Sequence, residues 1–327
     1  SYSIDLSGQI IMPTPGKIER ADGRLRLQGK IRMYAEESPG SFIRLFYEKL
    51  VPESAVEWCK EEVNSHISWK KDVTLPAEGY CIRVTPERII VRAADDAGFI
   101  YAIQSLRQWN TGEERGLIFP CVEITDFPRV KWRSFMLDSG RQYQKVSTIK
   151  KYIDMASMLK MNYFHWHLTE GLGWRIEIKR YPFLTRIGAF VGQGPEQQGF
   201  YSQEEVKEII GYAADRGITV VPEIDMPGHA EAALNAYPRL GCFNVAVKVP
   251  QSGFTQNIFC AGKDSTLIFL KNVLDEVCRM FPSAYIHLGG DEAPKGNWDK
   301  CPDCRSRIEK EKLKDSCLLY TSDAADD

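Results

Sequence analysis

The stretch from Ser202-Gln-Glu-Glu205 to Arg216-Gly217, followed at once by Ile218-Thr-Val-Val-Pro222, decides the class of fold. Ser202 with Glu205 three residues later is a capping box that opens a helix, and Gly217 closes it after Arg216. The β-branched run behind the glycine reads as a strand. The same rhythm recurs on both sides. Ser134-Phe-Met-Leu-Asp138 is a short apolar strand, Ser147 caps a helix to about Lys160, and Tyr163-Phe-His-Trp-His-Leu168 is a second strand. Downstream, Leu267 to Phe281 is a helix and Tyr285-Ile-His-Leu288 a fourth strand. Strands alternating with helices mean parallel βα units, in an open doubly wound sheet or a (β/α) barrel. No glycine-rich phosphate loop follows the first strand, which argues against dinucleotide binding.

Residues 1 to about 125 mix short strands with one or two helices. Asp22-Gly23 and Pro86-Glu87 are expected to be turns between strands, Glu87 to Ala93 a strand, and Ala97 to Trp109 a helix burying Phe99, Ile103 and Leu106. Asp126-Phe-Pro-Arg129 is a linker, since Pro128 keeps Phe127 out of helical conformation. The expected division is a small α+β domain over residues 1–125 and a catalytic TIM barrel over residues 126–315. Four βα units are half of the eight in a (β/α)8 barrel. A helix from about Cys304 to Leu313 leads into residues 316–327, which carry no strand-plus-helix pattern. The chain is therefore expected to hold only the first four units, with residues 316–327 a non-native or disordered tail.

Of the 327 residues, 43% are hydrophobic and 26% charged, and Lys+Arg 42 against Asp+Glu 44 gives a net charge of −2. That near-neutrality argues against a nucleic-acid partner. No apolar run approaches the ~20 residues of a membrane-spanning helix. Cys81, Cys121, Cys260 and Cys278 read as buried small hydrophobes. Cys301-Pro-Asp-Cys304 has metal-ligand spacing but no second such pair, so neither a metal nor a cofactor is expected. No signal segment follows Ser1, and neither compartment nor oligomeric state is legible from composition.

In a parallel barrel, chemistry sits just beyond the C-terminal ends of the strands. Asp138-Ser-Gly-Arg141 follows the first strand, and His167, Thr169, Glu170, Trp174 and Arg175 the second. Glu223, Asp225 and Pro227-Gly-His229 follow the third, and Gly289-Gly-Asp291-Glu292 the fourth. Other adjacent acids, such as Glu36-Glu37 and Glu204-Glu205, lie in polar stretches, whereas Asp291-Glu292 follows an apolar strand and two glycines. An acid beside a second carboxylate in a partly desolvated mouth keeps its proton for a leaving oxygen. Arg141 suits hydroxyls or a carboxylate, or else an ion pair with Asp138 or Glu170; His229 fits a site or a hydrogen-bonded core equally. Two other classes stay open. His165, His167 and His229 with Asp291 are the donor set of a metal-dependent barrel hydrolase, and a barrel mouth without catalysis is a sugar-binding protein.

His287-Leu-Gly-Gly-Asp-Glu292, with Trp298 just beyond, resembles the signature of family 20 glycoside hydrolases, the β-N-acetylhexosaminidases. Asn162 to Glu170 with Gly173-Trp-Arg175, Leu137 to Arg141, and Val221 to His229 resemble three further blocks, in order. Ala93 to Leu106 looks like the end of the small domain that precedes the barrel there. The resemblance implies an exo-acting enzyme on terminal N-acetylglucosamine or N-acetylgalactosamine of an oligosaccharide or glycan, without cofactor and outside the cytoplasm. It implies a retaining mechanism in which the substrate's acetamido oxygen is the nucleophile, an exception to the two-carboxylate scheme. By the same resemblance Glu292 is the acid/base and Asp291 holds the acetamido N–H. Arg141 binds the 3- and 4-hydroxyls, Glu170 and His229 support the pocket floor, and Trp174 and Arg175 are structural. Glu170 stands where relatives often carry Asp. No counterpart of the later pocket wall is legible, so the 327-residue chain by itself is expected to be weakly active or inactive.

Overall fold

The computed structural model describes residues 10–112, 116–192, 194–249 and 255–321, in two compact units. The first comprises the described residues up to Ser134 with Lys151–Asn162 and Tyr212–Ile218; the second holds Phe135–Lys150, Tyr163–Gly211 and the residues from Thr219 on.

In the first unit β1 (Lys17–Leu27), β2 (Ile31–Ala35), β3 (Val56–Trp58), β4 (Ile67–Lys71), β5 (Tyr80–Val84), β6 (Ile89–Ala93) and β7 (Leu117–Asp126) form one mixed sheet. Its order is β1-β7-β5-β6-β4-β2-β3. Helix α1 (Phe42–Lys49) packs on α2 (Asp96–Trp109), which lies against β5 and β6. The Asp95 carboxylate caps α2 by accepting from the Gly98 N–H at 2.9 Å, and the helix buries Phe99, Ile103 and Leu106 as its periodicity requires. Pro86-Glu87 does join two strands: the Thr85 N–H donates to the Arg88 carbonyl at 2.9 Å between antiparallel β5 and β6. Asp22-Gly23 does not. It lies inside β1, where the register against β7 shifts between Arg20 and Arg24 and Gly23 takes a φ of +100°. The positive φ that an Asp-Gly turn needs is spent on a bulge within one long strand.

Downstream, β8 (Ser134–Asp138), β9 (Tyr163–His167) and β12 (Thr219–Glu223) form a second sheet in the order β12-β9-β8. β12 runs parallel to β9, with Thr219 opposite Tyr163 and Glu223 opposite His167. Helix α3 (Val146–Met158) starts one residue before the expected cap Ser147. A small hairpin, β10 (Thr169–Glu170) with β11 (Gly173–Trp174), and a one-turn helix α4 (Phe183–Arg186) precede α5 (Gln203–Ala214). The capping box at α5 is formed in both directions: Ser202 Oγ accepts from the Glu205 N–H at 3.1 Å, and Glu205 Oε2 accepts from the Ser202 N–H at 2.9 Å. Helices α6 (Glu231–Ala236), α7 (Asp264–Met280), α8 (Gly296–Lys300), α9 (Pro302–Lys310) and α10 (Leu318–Thr321) follow β12. Residues 322–327 of the expected tail lie outside the described residues. No helix among the described residues is long and apolar enough to cross a membrane.

The expected fourth strand, Tyr285 to Leu288, is only a single parallel bridge between His287 and Glu223. The His287 N–H donates to Pro222 and the Ile224 N–H to His287, both at 3.0 Å. Extension then stops because Gly289 and Gly290 turn left-handed, with φ of +67° and +100°. No other strand pairs with this segment among the described residues.

Replacing Ser202 with Ala removes one half of the capping box and should cost about 1 kcal/mol. Urea unfolding followed by circular dichroism is the check, with Ser202→Asp expected to restore the loss.

Candidate active site

The ends of β8, β9 and β12 and the Gly289-Gly290 turn bring Arg141, Glu170, His229, Asp291 and Glu292 together. Glu170 is their hub. It is buried, with Oε1 2.7 Å from His229 Nδ1, Oε2 3.3 Å from Arg141 Nη2 and 3.4 Å from His167 Nε2. The Gly171 N–H donates to Oε1 at 2.9 Å. Burial alone would raise the Glu170 carboxyl, but the bonds from His167, His229 and Gly171 bring it down to about 2. The bond to Glu170 lifts His229 to about 9 against the opposing effect of burial. Burial likewise disfavours a charged His167, yet Glu170 and Glu223 raise it to about 10. Both shifts favour the doubly protonated, cationic imidazole at neutral pH.

Arg141 is anchored twice by Asp138, through its backbone N–H at 2.9 Å and Nη1 at 2.6 Å. Its remaining arm meets Glu170, so both ion pairs weighed from the sequence form. The side chain is nevertheless 45% exposed and open to a ligand. On the opposite side, His229 Nε2 stands 3.6 Å from Asp291 Oδ2 and 3.5 Å from Glu292 Oε2. Arg141, Glu170, His229 and the acid pair thus form one continuous line. The desolvation expected of the pair is not found: the Asp291 and Glu292 side chains are 63% and 69% exposed. Their segment has a neighbour on one side only among the described residues, and water reaches both carboxylates.

A second buried carboxylate, Glu223, received no role from the sequence. It lies 2.6 Å from His165 Nε2, 2.8 Å from His167 Nδ1 and 3.2 Å from His287 Nδ1. Burial would raise it, but hydrogen bonds from His165 and His167 hold it well below the usual carboxylate range. The three histidines weighed as metal ligands are thus engaged with carboxylates. Asp225 also went unassigned. Burial pushes it up to about 7, and Asp291 adds to the effect. Its Oδ1 accepts from the Gly290 N–H at 3.2 Å, and a Cβ on Gly289 would fall 1.9 Å from that oxygen. Only glycine permits this approach. The signal that would have found both acids is their place at the end of β12.

Arg175 is wholly buried and donates only to backbone carbonyls: Ser139 and Gly140 at 2.9 Å, Ala189 at 2.8 Å and Gly199 at 3.0 Å. It holds the turn that presents Arg141.

The Glu170–His229 pair sets a pH window. The proton that His229 retains up to about 9, against 6.5 when exposed, stabilises the fold fully below about pH 6.5, and the gain is lost as pH rises through 9. Glu170, ionised down to about 2 against 4.5, contributes fully above about pH 4.5, and this is lost as pH falls through 2. The pair's contribution should therefore be greatest between about pH 4.5 and 6.5. Urea titrations across pH check this, and Glu170→Gln should flatten both flanks.

Residues 130–324 match the family profile described as glycosyl hydrolase family 20, catalytic domain, and residues 9–127 match domain 2 of the same family. A beta-hexosaminidase of Porphyromonas gingivalis is 41% identical over 95% of this chain and 42% of its own length. One from Vibrio furnissii is 35% identical over 94% of this chain and 52% of its own. The crystal structure of a beta-N-acetylhexosaminidase from Bacteroides fragilis, 93% identical, covers 98% of this chain and 64% of that one with a TM-score of 0.92. An exo beta-N-acetylglucosaminidase from Vibrio harveyi in complex with N-acetylglucosamine, 30% identical, gives 0.86 over 97% of this chain and 53% of that one. The chain spans about half the length of the curated relatives it matches. The family implies a TIM-barrel catalytic domain after an N-terminal domain, whereas among the described residues β12, β9 and β8 close no barrel. With both profiles matched in sequence order, the chain belongs to glycosyl hydrolase family 20.

Proposed function

We propose that this protein is an exo-acting β-N-acetylhexosaminidase that removes terminal, non-reducing N-acetylglucosamine or N-acetylgalactosamine with retention, using the substrate's own acetamido group as nucleophile. The observation that carries this reading is the unbroken line from Arg141 through Glu170 and His229 to Asp291 and Glu292. A guanidinium faces one end of the mouth, and two adjacent acids stand at the other within 3.6 Å of one imidazole. In the same reading, β8, β9, β12 and residues 285–288 take the first four strand positions of a (β/α)8 barrel, supported by the parallel register of β12 on β9 and the bridge at His287. An extracytoplasmic location belongs to the proposal on the family resemblance alone.

The chemistry follows from the charges. Arg141, neutralised only in part by Asp138 and Glu170, offers N–H donors to two sugar hydroxyls. Asp291 accepts the acetamido N–H, which orients the carbonyl oxygen toward the anomeric carbon and makes attack intramolecular. Glu292 gives its proton to the glycosidic oxygen as the C–O bond breaks. It then takes a proton from the water that opens the cyclic intermediate. A sugar that displaces water from the two exposed acids favours the neutral form of the donor, while His229 keeps a positive charge beside Asp291.

Glu292→Gln and Asp291→Asn should each lower kcat/KM on 4-nitrophenyl N-acetyl-β-glucosaminide by about 10²–10⁴-fold, measured in the protein at the full length of its relatives. The matching β-glucoside, which lacks the acetamido group, should not turn over. Turnover of both substrates at similar rates overturns the substrate-assisted mechanism, and binding without turnover of either favours a sugar-binding protein.

A further inference from the structure

The sequence offers only one cysteine pair with metal-ligand spacing, and Cys260 reads as a small hydrophobe. The fold supplies the missing ligands from separate segments. Cys242 follows α6, Cys260 precedes α7, and Cys301 and Cys304 flank the start of α9. All four are buried. Cys260 Sγ lies 3.8 Å from Cys301 Sγ and 3.5 Å from Cys304 Sγ, and Cys242 Sγ lies 4.0 Å from Cys304 Sγ. All four sulfurs fall within 4.8 Å of one another. A tetrahedron of sulfurs around zinc, with Zn–S of about 2.3 Å, has edges of about 3.8 Å. A disulfide would draw one pair to about 2 Å. The spacing found is that of the zinc tetrahedron.

We propose that Cys242, Cys260, Cys301 and Cys304 hold one structural Zn²⁺ ion, remote in role from the sugar chemistry. Each thiol gives its proton to solvent as its Zn–S bond forms, with no change of oxidation state. Four protein ligands close the coordination sphere, as in structural rather than catalytic zinc sites. The surroundings fit that charge. Trp298, Ile258 and Leu319 pack around the sulfurs and exclude water. The resulting site carries two net negative charges; Lys263 reaches the carbonyl beside Cys242, and Arg307, itself paired with Asp264 and Glu311, reaches the one two residues past Cys260. Lys263 Nζ donates to the Gly241 carbonyl at 2.6 Å, and Arg307 Nη2 to the Gly262 carbonyl at 3.5 Å. The two ligand turns also press together: a Cβ on Gly262 would lie 2.2 Å from the Cys304 nitrogen. Through this knot zinc would fix the loop carrying His229 and the helix behind Glu292. The Phe259 N–H donates to the Pro227 carbonyl at 2.9 Å, and Trp298 Nε1 donates to the Phe259 carbonyl at 2.9 Å.

The test is metal analysis of the chain purified without an affinity tag that binds metal, in reducing buffer, and after equilibration with zinc chloride. About one zinc per chain is expected, with X-ray absorption reporting four sulfur neighbours at about 2.3 Å. Cys304→Ser should lose most of the zinc and Cys304→His recover it, while Cys278→Ser and Cys317→Ser, at exposed positions, should leave it unchanged. Should Cys304→Ser fail to fold, the wild-type stoichiometry and sulfur shell still decide. Less than a tenth of an equivalent of zinc after equilibration, iron in its place, or zinc with nitrogen and oxygen neighbours overturns the proposal. So do two disulfides among these four residues in protein that takes up no zinc.

Discussion

A carboxylate taken out of water must recover its solvation from the protein, and Glu170 does so through hydrogen bonds to Oε1 and ion-pair contacts at Oε2. His229, His167, Arg141 and the Gly171 N–H all converge on its two oxygens. Removing water from an ion costs several kcal/mol, so the partners are not optional, and their positions become fixed relative to one another. This is how residues from three separate loops come to share one geometry. The imidazole that satisfies Glu170 on one edge presents its other edge to the acid pair. The guanidinium that satisfies it on the far side faces the mouth.

Glu223 repeats the arrangement one layer away. It gathers three imidazoles, and His167 lies between the two buried acids, 2.8 Å from Glu223 and 3.4 Å from Glu170. Two carboxylates at the ends of neighbouring parallel strands therefore organise nearly all the polar side chains of the mouth. Arg175 works differently. Its partners are all neutral carbonyls, so it shapes the main chain of the Ser139-Gly140 turn without pairing with a carboxylate.

The parts of the fold that were legible in the sequence are those decided by local physics. The box at Ser202 and Glu205, the stop at Gly217 and the β-branched run after it depend on residues a few positions apart, and all form. Asp22-Gly23 shows the limit of local signals, because a turn and a bulge both require a positive φ and only the partner strand distinguishes them. The members of the site were legible from their places after strands, but their environments were not. Nothing in Asp291-Glu292 reveals how much water reaches it, and nothing in Glu223 reveals three histidines from β9 and beyond β12. Cys242 and Cys260 are 18 residues apart by their numbering, and only the packing of α9 shows that they face the Cys301–Cys304 turn.

The main chain at residues 289 to 292 has one more implication. Gly289, Gly290 and Glu292 all take left-handed torsions, the last at a φ of +48°, a conformation that costs a non-glycine residue of order 1–3 kcal/mol. The direction in which the Glu292 Cα–Cβ bond leaves the main chain is thus set by the peptide planes of this turn. In the proposed reaction, a mutation that reshapes the cavity elsewhere leaves this bond direction alone, so specificity can change without moving the root of the acid. Changing the aim itself demands rebuilding the turn, with Asp225 directly behind it.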